Sequence, residues 1–374
     1  MKNNVMNKAI VFGIVGLLVA ALVVNIVKPS NAVSKSERRK LASFPTVNVE
    51  TILNVKAMDG FESYATDQFV LREPFRRLKT FIDSRLFAKL DTNGYYYRDR
   101  HLYKLDYPVN ERSVQTMGLK INKVREKYLQ GMNVSYAIIP DKSFFLPQNG
   151  RYLTMDYAGM ERMMQESLDG MAYINLFGVL ELDDYYFTDA HWRQERLGNV
   201  VQALAEGLHA ETSFDIKDYQ VKSYDPFYGV YYGQSARSIQ PDTLCWLEND
   251  TTRSATVEKL RANGTFEQGV AMYNEAALGG MDSYEIFLHG MEPLIKLTNP
   301  NNENGRSLII FRDSYGSPLA PLLLESYQEI ILVDLRYLNV SLLDSYIDFD
   351  QQDVLFLYST TIINTNDSMQ VPLP

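Results

Sequence analysis

Two short stretches of the chain carry residue types that can perform acyl transfer together. Asp189 stands two residues before His191, where a helical pattern begins. Ser314 follows an apolar run at 307–311 and precedes a turn-forming Tyr-Gly pair. A serine hydroxyl is a weak nucleophile until a base removes its proton, and the base needs a third group that fixes its tautomer. These residues therefore suit a triad in which Ser314 attacks, His191 accepts the proton and Asp189 orients the imidazole.

Each stretch also has a purely structural explanation. An Asp-x-His pattern at a helix start is common as an N-terminal cap beside a surface histidine, and Thr188 or Asp189 could serve as that cap. The sequence Asp-Ser-Tyr-Gly around Ser314 is a common turn composition. From the residues alone, the triad and the structural interpretation both stay open.

The elements around the two stretches predict an α/β fold. Apolar runs at 134–139 and 171–176 indicate strands, and each follows an amphipathic helical pattern, at 114–129 and at 159–168. Such alternation is typical of parallel strands whose sheet carries helices on its faces. The segment 212–280 shows no clear period, so we expect it to be an insertion of loops and short antiparallel strands. Further strands are predicted at 285–288, 294–297, 308–311, 330–333 and 354–357, and further helices at 192–208, 318–327 and 340–347.

A parallel sheet would place Ser314 where ligands bind. Its position is the carboxyl end of a strand, and ligands of open α/β sheets bind at that edge. The first N–H groups of the following helix would then point toward an oxyanion, as would the N–H of Ser314 itself. Gly233 is a candidate second donor, because glycine permits close backbone approach. Arg312 and Arg336 could bind an acyl donor or an anionic sugar, although a surface position or an ion pair explains both arginines equally well.

The N-terminus predicts a membrane segment. Residues 9–27 contain no charge and only one strongly polar side chain, Asn25, over a length that crosses a hydrocarbon core. We favour an uncleaved anchor at 1–28 over a signal peptide, whose apolar region is usually shorter and ends at a small-residue cleavage site. A linker at 29–60 and a catalytic domain at 61–374, interrupted by the insertion, complete the predicted organisation.

Two further patterns lie near the predicted anchor. Basic residues from Lys28 to Lys40 by themselves favour a cytoplasmic position for that flank, although large domains cross membranes largely regardless of charge. Farther along, apolar side chains recur at a spacing that predicts a helix packed into the core. These side chains are Phe75, Leu78, Phe81, Ile82, Leu86 and Leu90.

The composition excludes several other classes of function. The net charge of -9 and the pI of about 5.1 do not suit the phosphate attraction on which nucleic-acid-binding proteins depend. The lone Cys245 rules out an intramolecular disulfide and a multi-cysteine metal site. His101, His209 and His289 are isolated in the sequence and are expected to be structural or solvated. We therefore expect neither a metal nor a cofactor.

The stretch Thr188-Asp189-Ala190-His191-Trp192 resembles the signature of the DHHW family and of the alginate O-acetyltransferases, which carry Asp-x-His-Trp. Ala190 departs from the family name, which expects a histidine there, but the alginate enzymes accept another residue at that position. The resemblance spans nearly everything after the anchor. It includes Phe61 to Arg72, Pro140-Asp141-Lys142, Tyr232-Gly233, Glu292-Pro293-Leu294, Arg312-Asp313-Ser314-Tyr315 and Val333-Asp334-Leu335-Arg336-Tyr337.

This resemblance implies a fold and a function. The fold would be a permuted SGNH-hydrolase-like one with a flavodoxin-like parallel sheet, and Ser314, His191 and Asp189 would be nucleophile, base and orienting acid. The function would be a serine-dependent O-acetyltransferase or acetylesterase acting on a cell-envelope or extracellular polysaccharide. The domain would lie outside the cytoplasm, with a membrane-bound acyltransferase supplying the acyl group. The alternative is a catalytically inactive SGNH-fold protein that binds carbohydrate or assists assembly.

Overall fold

The computed structural model describes residues 2–373, with side chains described from residue 6 onward. The terminal residues of the predicted ranges 1–28 and 61–374 therefore lie outside the described part. The described chain forms two compact units. One, here called the N-terminal unit, extends from the first helix to Asn93 and includes Tyr232–Ser238. The other, the core unit, comprises Gly94–Tyr231 and the chain from Ile239 onward.

Helices and strands alternate along the described residues. The α-helices are α1 (Lys2–Val27), α2 (Val49–Leu53), α3 (Lys56–Asp67), α4 (Arg72–Arg85), α5 (Glu111–Tyr128), α6 (Tyr157–Ser167), α7 (Gly198–Gly207), α8 (Val230–Ser235), α9 (Asp250–Ser254), α10 (Gly316–Leu323) and α11 (Thr360–Asn364). The strands are β1 (Val33–Ser34), β2 (Arg39–Lys40), β3 (Asp91–Thr92), β4 (Tyr95–Arg98), β5 (His101–Lys104), β6 (Val134–Ile139), β7 (Ala172–Asn175), β8 (Gln220–Phe227), β9 (Asp242–Glu248), β10 (Thr256–Leu260), β11 (Phe266–Glu267), β12 (Leu294–Thr298), β13 (Ser307–Arg312), β14 (Glu329–Val333) and β15 (Asp353–Ser359). Short 3-10 helices occur at Lys142–Phe145, Leu182–Asp184, Gln194–Arg196, Ile216–Asp218, Glu275–Ala277, Ser283–Ile286 and Val340–Ser345.

Helix α1 begins the N-terminal unit. Within the described residues, Met6–Val27 is the one helical stretch that is long and apolar enough to cross a membrane. Its 22 residues exceed the length of about 20 that a transmembrane helix needs. The predicted membrane segment at 9–27 lies inside this helix.

Ion pairs join the segment after α1 to the last residue of α3 and the first residue of α4. Arg39 contacts Asp67 at 2.5 Å, and Arg72 contacts Glu37 at 2.6 Å. The hydrogen bond from Arg39 lowers the pKa of Asp67 to about 2. The carboxylate side chains of Glu37 and Asp67 are only about 10% exposed, so water screens these pairs less than it screens surface pairs.

The predicted linker and catalytic domain stay a prediction, and their bounds differ from those of the two units. The sequence suggested a linker at 29–60 and a domain that begins at residue 61. In the structure, 29–60 contains α2, β1 and β2, and residues 61–93 belong to the N-terminal unit. The difference arises because the ion pairs fold the segment after α1 against α3 and α4, a long-range pairing that local sequence does not reveal.

An eight-stranded sheet forms the centre of the core unit, with the strand order β11-β10-β12-β14-β13-β15-β6-β7. The five strands from β14 to β7 are parallel, whereas β12, β10 and β11 extend the sheet as antiparallel strands. The predicted α/β fold with a parallel sheet is therefore confirmed. The segment 212–280 contributes β10 and β11 to this sheet and forms a separate pair from β8 and β9.

Strand β13 is buried on both faces. Leu308 and Ile310 point into one apolar cluster together with residues of α7 and α10. Ile309 and Phe311 point into the opposite cluster together with residues of α5 and α6. Successive side chains of a strand point to opposite faces, which explains why the whole run is apolar. Packing from both sides therefore fixes the strand that ends just before Ser314.

Three predicted elements differ in the structure. The run at 285–288 was predicted to be a strand, but the 3-10 helix Ser283–Ile286 covers its beginning, and Phe287 and Leu288 are buried in the core. The helix predicted at 340–347 is the 3-10 helix Val340–Ser345. The helix predicted to begin at residue 192 begins only at Gly198. A short buried apolar run has the same composition in any of these conformations, so periodicity does not separate them.

The apolar stripe of α4 does not face a core. Phe75, Leu78, Phe81 and Leu86 are between 50% and 73% exposed. Thr80 is buried instead, as is the carboxylate-bearing Asp83. The prediction that this stripe packs into the core is therefore wrong, although the helix and its two faces were found correctly.

Candidate functional site

Ser314 lies on the turn that connects β13 to α10. The buried carboxylate of Asp313 accepts hydrogen bonds from the N–H of Tyr315 at 3.0 Å and from the N–H of Ser359 at 2.8 Å. Ser359 is the last residue of β15, the neighbour of β13, so these two bonds fix the turn to the sheet. Ser314 itself is only partly buried. Its hydroxyl can therefore meet both a base and a substrate.

The structure brings the three side chains of the predicted triad together. Ser314 Oγ lies 2.7 Å from His191 Nε2, and His191 Nδ1 lies 2.6 Å from Asp189 Oδ1. Both separations are hydrogen-bond distances. When Nδ1–H donates to the carboxylate, Nε2 is the unprotonated nitrogen and can accept the proton of the serine hydroxyl. The arrangement can therefore generate a serine nucleophile.

A tight loop presents the imidazole to the serine. Tyr185 and Trp192 pair as an isolated antiparallel bridge, and the N–H of Tyr186 donates to the carbonyl of His191 at 3.1 Å. The indole N–H of Trp192 donates to the carbonyl of Tyr315 at 3.1 Å. Because Tyr315 directly follows Ser314, this bond joins the loop of the base to the turn of the nucleophile.

The Asp189 side chain is fully buried within this loop. Its Oδ2 accepts from the N–H of Val230 at 2.7 Å, and its Oδ1 accepts from the N–H of His191 at 3.1 Å. The prediction that Thr188 or Asp189 caps a helix that begins at residue 192 is therefore wrong, because that helix begins only at Gly198 and the donors to Asp189 are His191 in the loop and Val230 at the start of α8. Asp189 instead uses its hydrogen bonds to orient the imidazole.

Gly229 allows the chain to approach Asp189 closely enough for the Val230 bond. A Cβ atom at Gly229 would lie 2.3 Å from Asp189 Cβ and 2.5 Å from the carbonyl oxygen of Thr188. Real Cβ atoms do not approach other atoms this closely, so a side chain at this position would displace the Asp189 backbone. The N–H of Gly229 also donates to Thr188 Oγ1 at 2.9 Å.

Two buried ionisable side chains, Asp242 and Lys142, bind the backbone of the loop just before Asp189. Asp242 accepts from the N–H groups of Phe187 and Thr188, each at 2.8 Å. Lys142 Nζ donates to the carbonyl of Tyr186 at 2.8 Å. Burial lowers the pKa of Lys142 to about 7, and nearby carboxylates, with Asp242 first, oppose that shift. Lys142 and Asp242 thus bind the carbonyl and the N–H of the same peptide group, Tyr186–Phe187, just before Asp189.

Two tyrosine rings enclose the imidazole. Tyr284 stacks on His191 with ring centroids 4.0 Å apart and an angle of 13° between the planes. The ring centroids of Tyr315 and His191 lie 4.9 Å apart. The Tyr315 hydroxyl donates to the carbonyl of Ala190 at 2.8 Å. Stacking restricts rotation of the ring and excludes water from its face. The His191 ring therefore has little freedom to leave Ser314 Oγ.

The two arginines proposed for substrate binding form ion pairs. Arg312 is 1% exposed and lies 3.7 Å from Asp334. Arg336 contacts both oxygens of the same carboxylate, at 2.9 and 2.6 Å. Burial lowers the pKa of Arg312, and the Asp334 carboxylate opposes that shift. Of the two interpretations left open by the sequence, the ion pair is the one that the contacts support.

Gly233 lies in the N-terminal unit and not in the core unit that contains the triad. A Cβ atom there would lie 1.6 Å from the carbonyl oxygen of Ser36, so the glycine permits close packing of two backbones. Its own carbonyl accepts from Arg76 at 3.1 Å. Packing within the N-terminal unit explains this glycine, and its part in an oxyanion hole stays a prediction.

The start of α10 offers fewer free donors than expected. The N–H groups of Tyr315, Gly316 and Ser317 donate to the Asp313 side chain, the Asp313 carbonyl and the Ser314 carbonyl. In this stretch of the described chain, the N–H of Ser314 remains the candidate oxyanion donor. Three His, Cys, Asp or Glu side chains that could together hold a metal ion do not occur among the described residues.

Sequence reasoning overlooked three residues of the site, namely Gly229, Lys142 and Tyr284. Lys142 did occur in one of the stretches that carry the family resemblance, but without a role. Gly229 stands four residues before Gly233, the predicted oxyanion donor, and the residues around it carry no recognisable motif. Tyr284 comes from the 3-10 helix Ser283–Ile286 after the insertion, and no local pattern signals its contact with His191.

Comparison with known proteins gives matches among solved structures; no protein-family model and no curated protein sequence matches the chain. A DHHW family protein from Eubacterium siraeum is 21% identical with a TM-score of 0.63, covering 75% of this chain and 95% of that chain. Bacillus cereus PatB1, solved with a sulfonyl adduct, is 19% identical with a TM-score of 0.58, covering 75% of this chain and 98% of that chain. The O-acetyltransferase domain of Pseudomonas putida AlgJ is 14% identical, covering 73% of this chain and 92% of that chain, and its TM-score of 0.44 is too low to establish a common fold.

The first two of these structures share their fold with this chain over three quarters of its length. The resemblance to the DHHW family inferred from the sequence is thereby confirmed for the fold. At sequence identities of 21% and 19%, the similarity establishes a shared backbone fold. The chemistry must be argued from the residues of this chain.

We predict that the ring of Tyr284, and not its hydroxyl, positions His191. Tyr284→Phe keeps the stacked ring and should retain near-normal turnover of an activated ester. Tyr284→Ala should lower kcat by about 10- to 100-fold with little change in KM, the scale expected when a catalytic group loses its alignment. Steady-state kinetics of the two variants, with thermal midpoints to check folding, measure the difference. Equal losses in both variants, or a loss confined to KM, would contradict this role.

Proposed function

We propose that this protein, which shares its fold with a DHHW family protein, is a serine-dependent O-acetyltransferase or acetylesterase. The observation that carries the proposal is the continuous contact from Ser314 Oγ through His191 to Asp189, at 2.7 and 2.6 Å. A chance cluster of polar residues would not also supply two backbone donors to a fully buried carboxylate. The site is preorganised for nucleophilic catalysis.

The proposed reaction has two half-reactions. In the first, His191 Nε2 removes the hydroxyl proton of Ser314 while Oγ attacks the acyl carbonyl, and Asp189 stabilises the resulting imidazolium. When the tetrahedral intermediate collapses, the imidazolium gives its proton to the leaving oxygen of the donor. In the second, His191 removes a proton from a sugar hydroxyl or from water while the oxygen of that acceptor attacks the acyl-serine. When this tetrahedral intermediate collapses, the bond from the acyl carbon to Ser314 Oγ breaks and the imidazolium gives its proton to Oγ. A sugar acceptor gives acetyl transfer, and water gives ester hydrolysis.

The proposed acceptor or substrate is a cell-envelope or extracellular polysaccharide, and the proposed donor partner is a membrane-bound acyltransferase. Both come from the family resemblance and agree with an apolar N-terminal helix long enough to span a membrane. The alternative, an inactive carbohydrate-binding or assembly protein, is less well supported. In an inactive protein, selection for activity would no longer preserve the hydrogen-bond geometry of Ser314, His191 and Asp189. Here all three side chains keep their hydrogen-bond contacts.

Removal of either reacting residue should abolish turnover of a small activated acetyl ester. We expect Ser314→Ala and His191→Ala each to lower kcat by about 10³-fold or more, and the double variant to be hardly worse, because triad members act as a unit. Ser317→Ala, three residues farther on in α10, is the matched control and should retain turnover.

A folded Ser314→Ala variant with unchanged turnover would refute the proposal. If the wild type does not turn over the small ester, acetate on the polysaccharide isolated from cells that carry each variant becomes the measurement. Equal acetate in the wild type and in Ser314→Ala would then count against the proposal.

We also propose that α1 is a single membrane anchor and that the core unit lies outside the cytoplasm. The length of α1 and the location of the proposed polysaccharide support this orientation, whereas the basic residues after α1 oppose it. Protease added to intact cells should remove the core unit and leave an N-terminal fragment protected. A core unit that resists protease until the cells are lysed would contradict the orientation.

A further inference from the structure

We propose that the N-terminal unit also binds the surface of the lipid bilayer, with the exposed apolar face of α4 inserted at the boundary between headgroups and acyl chains. The inference rests on the membrane anchor proposed above and is independent of the chemistry of the triad. It assigns a binding surface to residues that no catalytic step uses.

The contacts of α4 fix its apolar face outward. The Arg76 guanidinium donates to the carbonyls of Gly233 and Gln234 at 3.1 and 2.8 Å. Thr80 Oγ1 donates to the carbonyl of Ser235 at 3.1 Å. These bonds attach the polar face to the rest of the unit, which is the reverse of a soluble amphipathic helix. Among the described residues, the opposite face stays half or more exposed, with Phe75, Leu78 and Phe81 at 50% to 59%.

The exposed apolar residues form a large set. Isolated exposed apolar side chains are normal on soluble proteins, whereas large groups of them mark interaction surfaces. Here the residues follow one another along α3, α4 and their flanks, and each is at least 40% exposed. They are Phe44, Met58, Phe61, Phe69, Leu71, Phe75, Leu78, Phe81, Leu86, Phe87 and Leu90.

This surface is continuous with the membrane helix. One cleft of the N-terminal unit is lined by Leu18, Leu22 and Ile26 of α1 and by Phe61 and Phe69 beside them. The segment from the end of α3 at Asp67 to the start of α4 at Arg72 is here called the α3 to α4 corner. The lipid that surrounds α1 would therefore also contact the aromatic side chain of Phe69 at this corner. A lipid occupant is favoured over a protein one because Phe69 both lines this cleft and contacts Phe75 of α4, with ring centroids 5.5 Å apart, which links the apolar face of α4 to a helix whose length and composition suit lipid.

A hydrogen bond sets the depth of the corner. Asn25 Oδ1 accepts from the N–H of Val70 at 2.7 Å, and Asn25 lies two residues before Val27, the last residue of α1. A polar side chain at the end of a membrane helix lies near the headgroups. Val70 and its neighbours Phe69 and Leu71 must lie at the same level, so the corner is at the interface.

The charge of α4 suits anionic headgroups. Within Arg72–Arg85 five basic residues face two acidic ones, a balance of +3, whereas the whole chain carries -9. Of the basic residues, Arg77 and Arg85 are exposed beside the apolar stripe. Anionic lipid headgroups attract basic residues that lie near the membrane surface. The helix thus has both properties of an interfacial helix, an apolar face and basic flanks.

Fluorescence quenching by lipids tests this assignment in the full-length chain. An environment-sensitive fluorophore is attached to Leu78→Cys, and the protein is reconstituted in nanodiscs of phosphatidylcholine and phosphatidylglycerol that contain spin-labelled lipid. Leu119→Cys on α5 is the matched control, because Leu119 is 58% exposed and Leu78 is 50% exposed. Leu17→Cys reports on the anchor. The wild-type chain measures background labelling, since its single cysteine, Cys245, is buried.

We expect a quencher near the headgroups to reduce the Leu78 signal several-fold more than the Leu119 signal, because interfacial helices insert to about 5–10 Å. Water-like emission at Leu78 without quenching would overturn the proposal. Blue-shifted emission without quenching would also overturn it and would indicate a covering protein, such as a second copy or a membrane partner. Leu17 lies half-way along Met6–Val27, so its label is read with a second quencher placed deep in the acyl chains. A Leu17 label that this deep quencher does not reduce would show that the anchor itself fails, which separates that failure from one confined to α4.

Discussion

The carboxylate of Asp189 is the group on which the rest of the candidate site depends. Its side chain is fully buried, and a buried charge is stable only when hydrogen bonds replace the water it has lost. The structure supplies the N–H groups of His191 and Val230, together with the imidazole N–H. Each donor belongs to a segment that must itself be held in place. The hydrogen bonds of this one carboxylate therefore depend on packing elsewhere in the core unit.

The need to hold Asp189 in place explains several residues that take no part in the proposed reaction. Gly229 is small because Val230 must approach Asp189, and a Cβ atom at Gly229 would occupy the place of the aspartate backbone. Asp242 and Lys142 bind the peptide groups just before Asp189. Loss of one partner of a buried charged group leaves the other unpaired, which is costly. Loop geometry and triad geometry are therefore expected to fail together.

The sequence revealed the parts of the site that local pattern encodes. Asp189 and His191 are neighbours in the chain, and Ser314 follows an apolar strand, so residue type and spacing sufficed for both. Tyr284 contacts His191 across more than ninety residues of chain, and no local pattern encodes such a contact. The need for a glycine at residue 229 could not be predicted for the same reason, because it arises from the approach of a distant segment, the one that carries Asp189.

The fold shows the same limit. Periodicity identified the parallel strands and the two faces of α4, because both depend on neighbours in sequence. It did not reveal that the apolar face of α4 is exposed, since a helical stripe has the same spacing beside a core and beside a lipid surface. Nor did it reveal the ion pairs that join the segment after α1 to the α3 to α4 corner. The local sequence pattern is the same in each case, and only the group that a residue contacts in the folded protein distinguishes a core, a lipid surface and an ion pair.

Covalent labelling tests most directly the central claim that Asp189 and His191 activate Ser314. The folded protein would be treated with phenylmethylsulfonyl fluoride and digested, and the modified peptide located by mass spectrometry. The account predicts one adduct, on Ser314, formed far more slowly in His191→Ala and in Asp189→Asn, because the serine then lacks a correctly oriented base. No adduct on Ser314 in the folded wild type, or labelling of the His191→Ala variant at the wild-type rate, would contradict it.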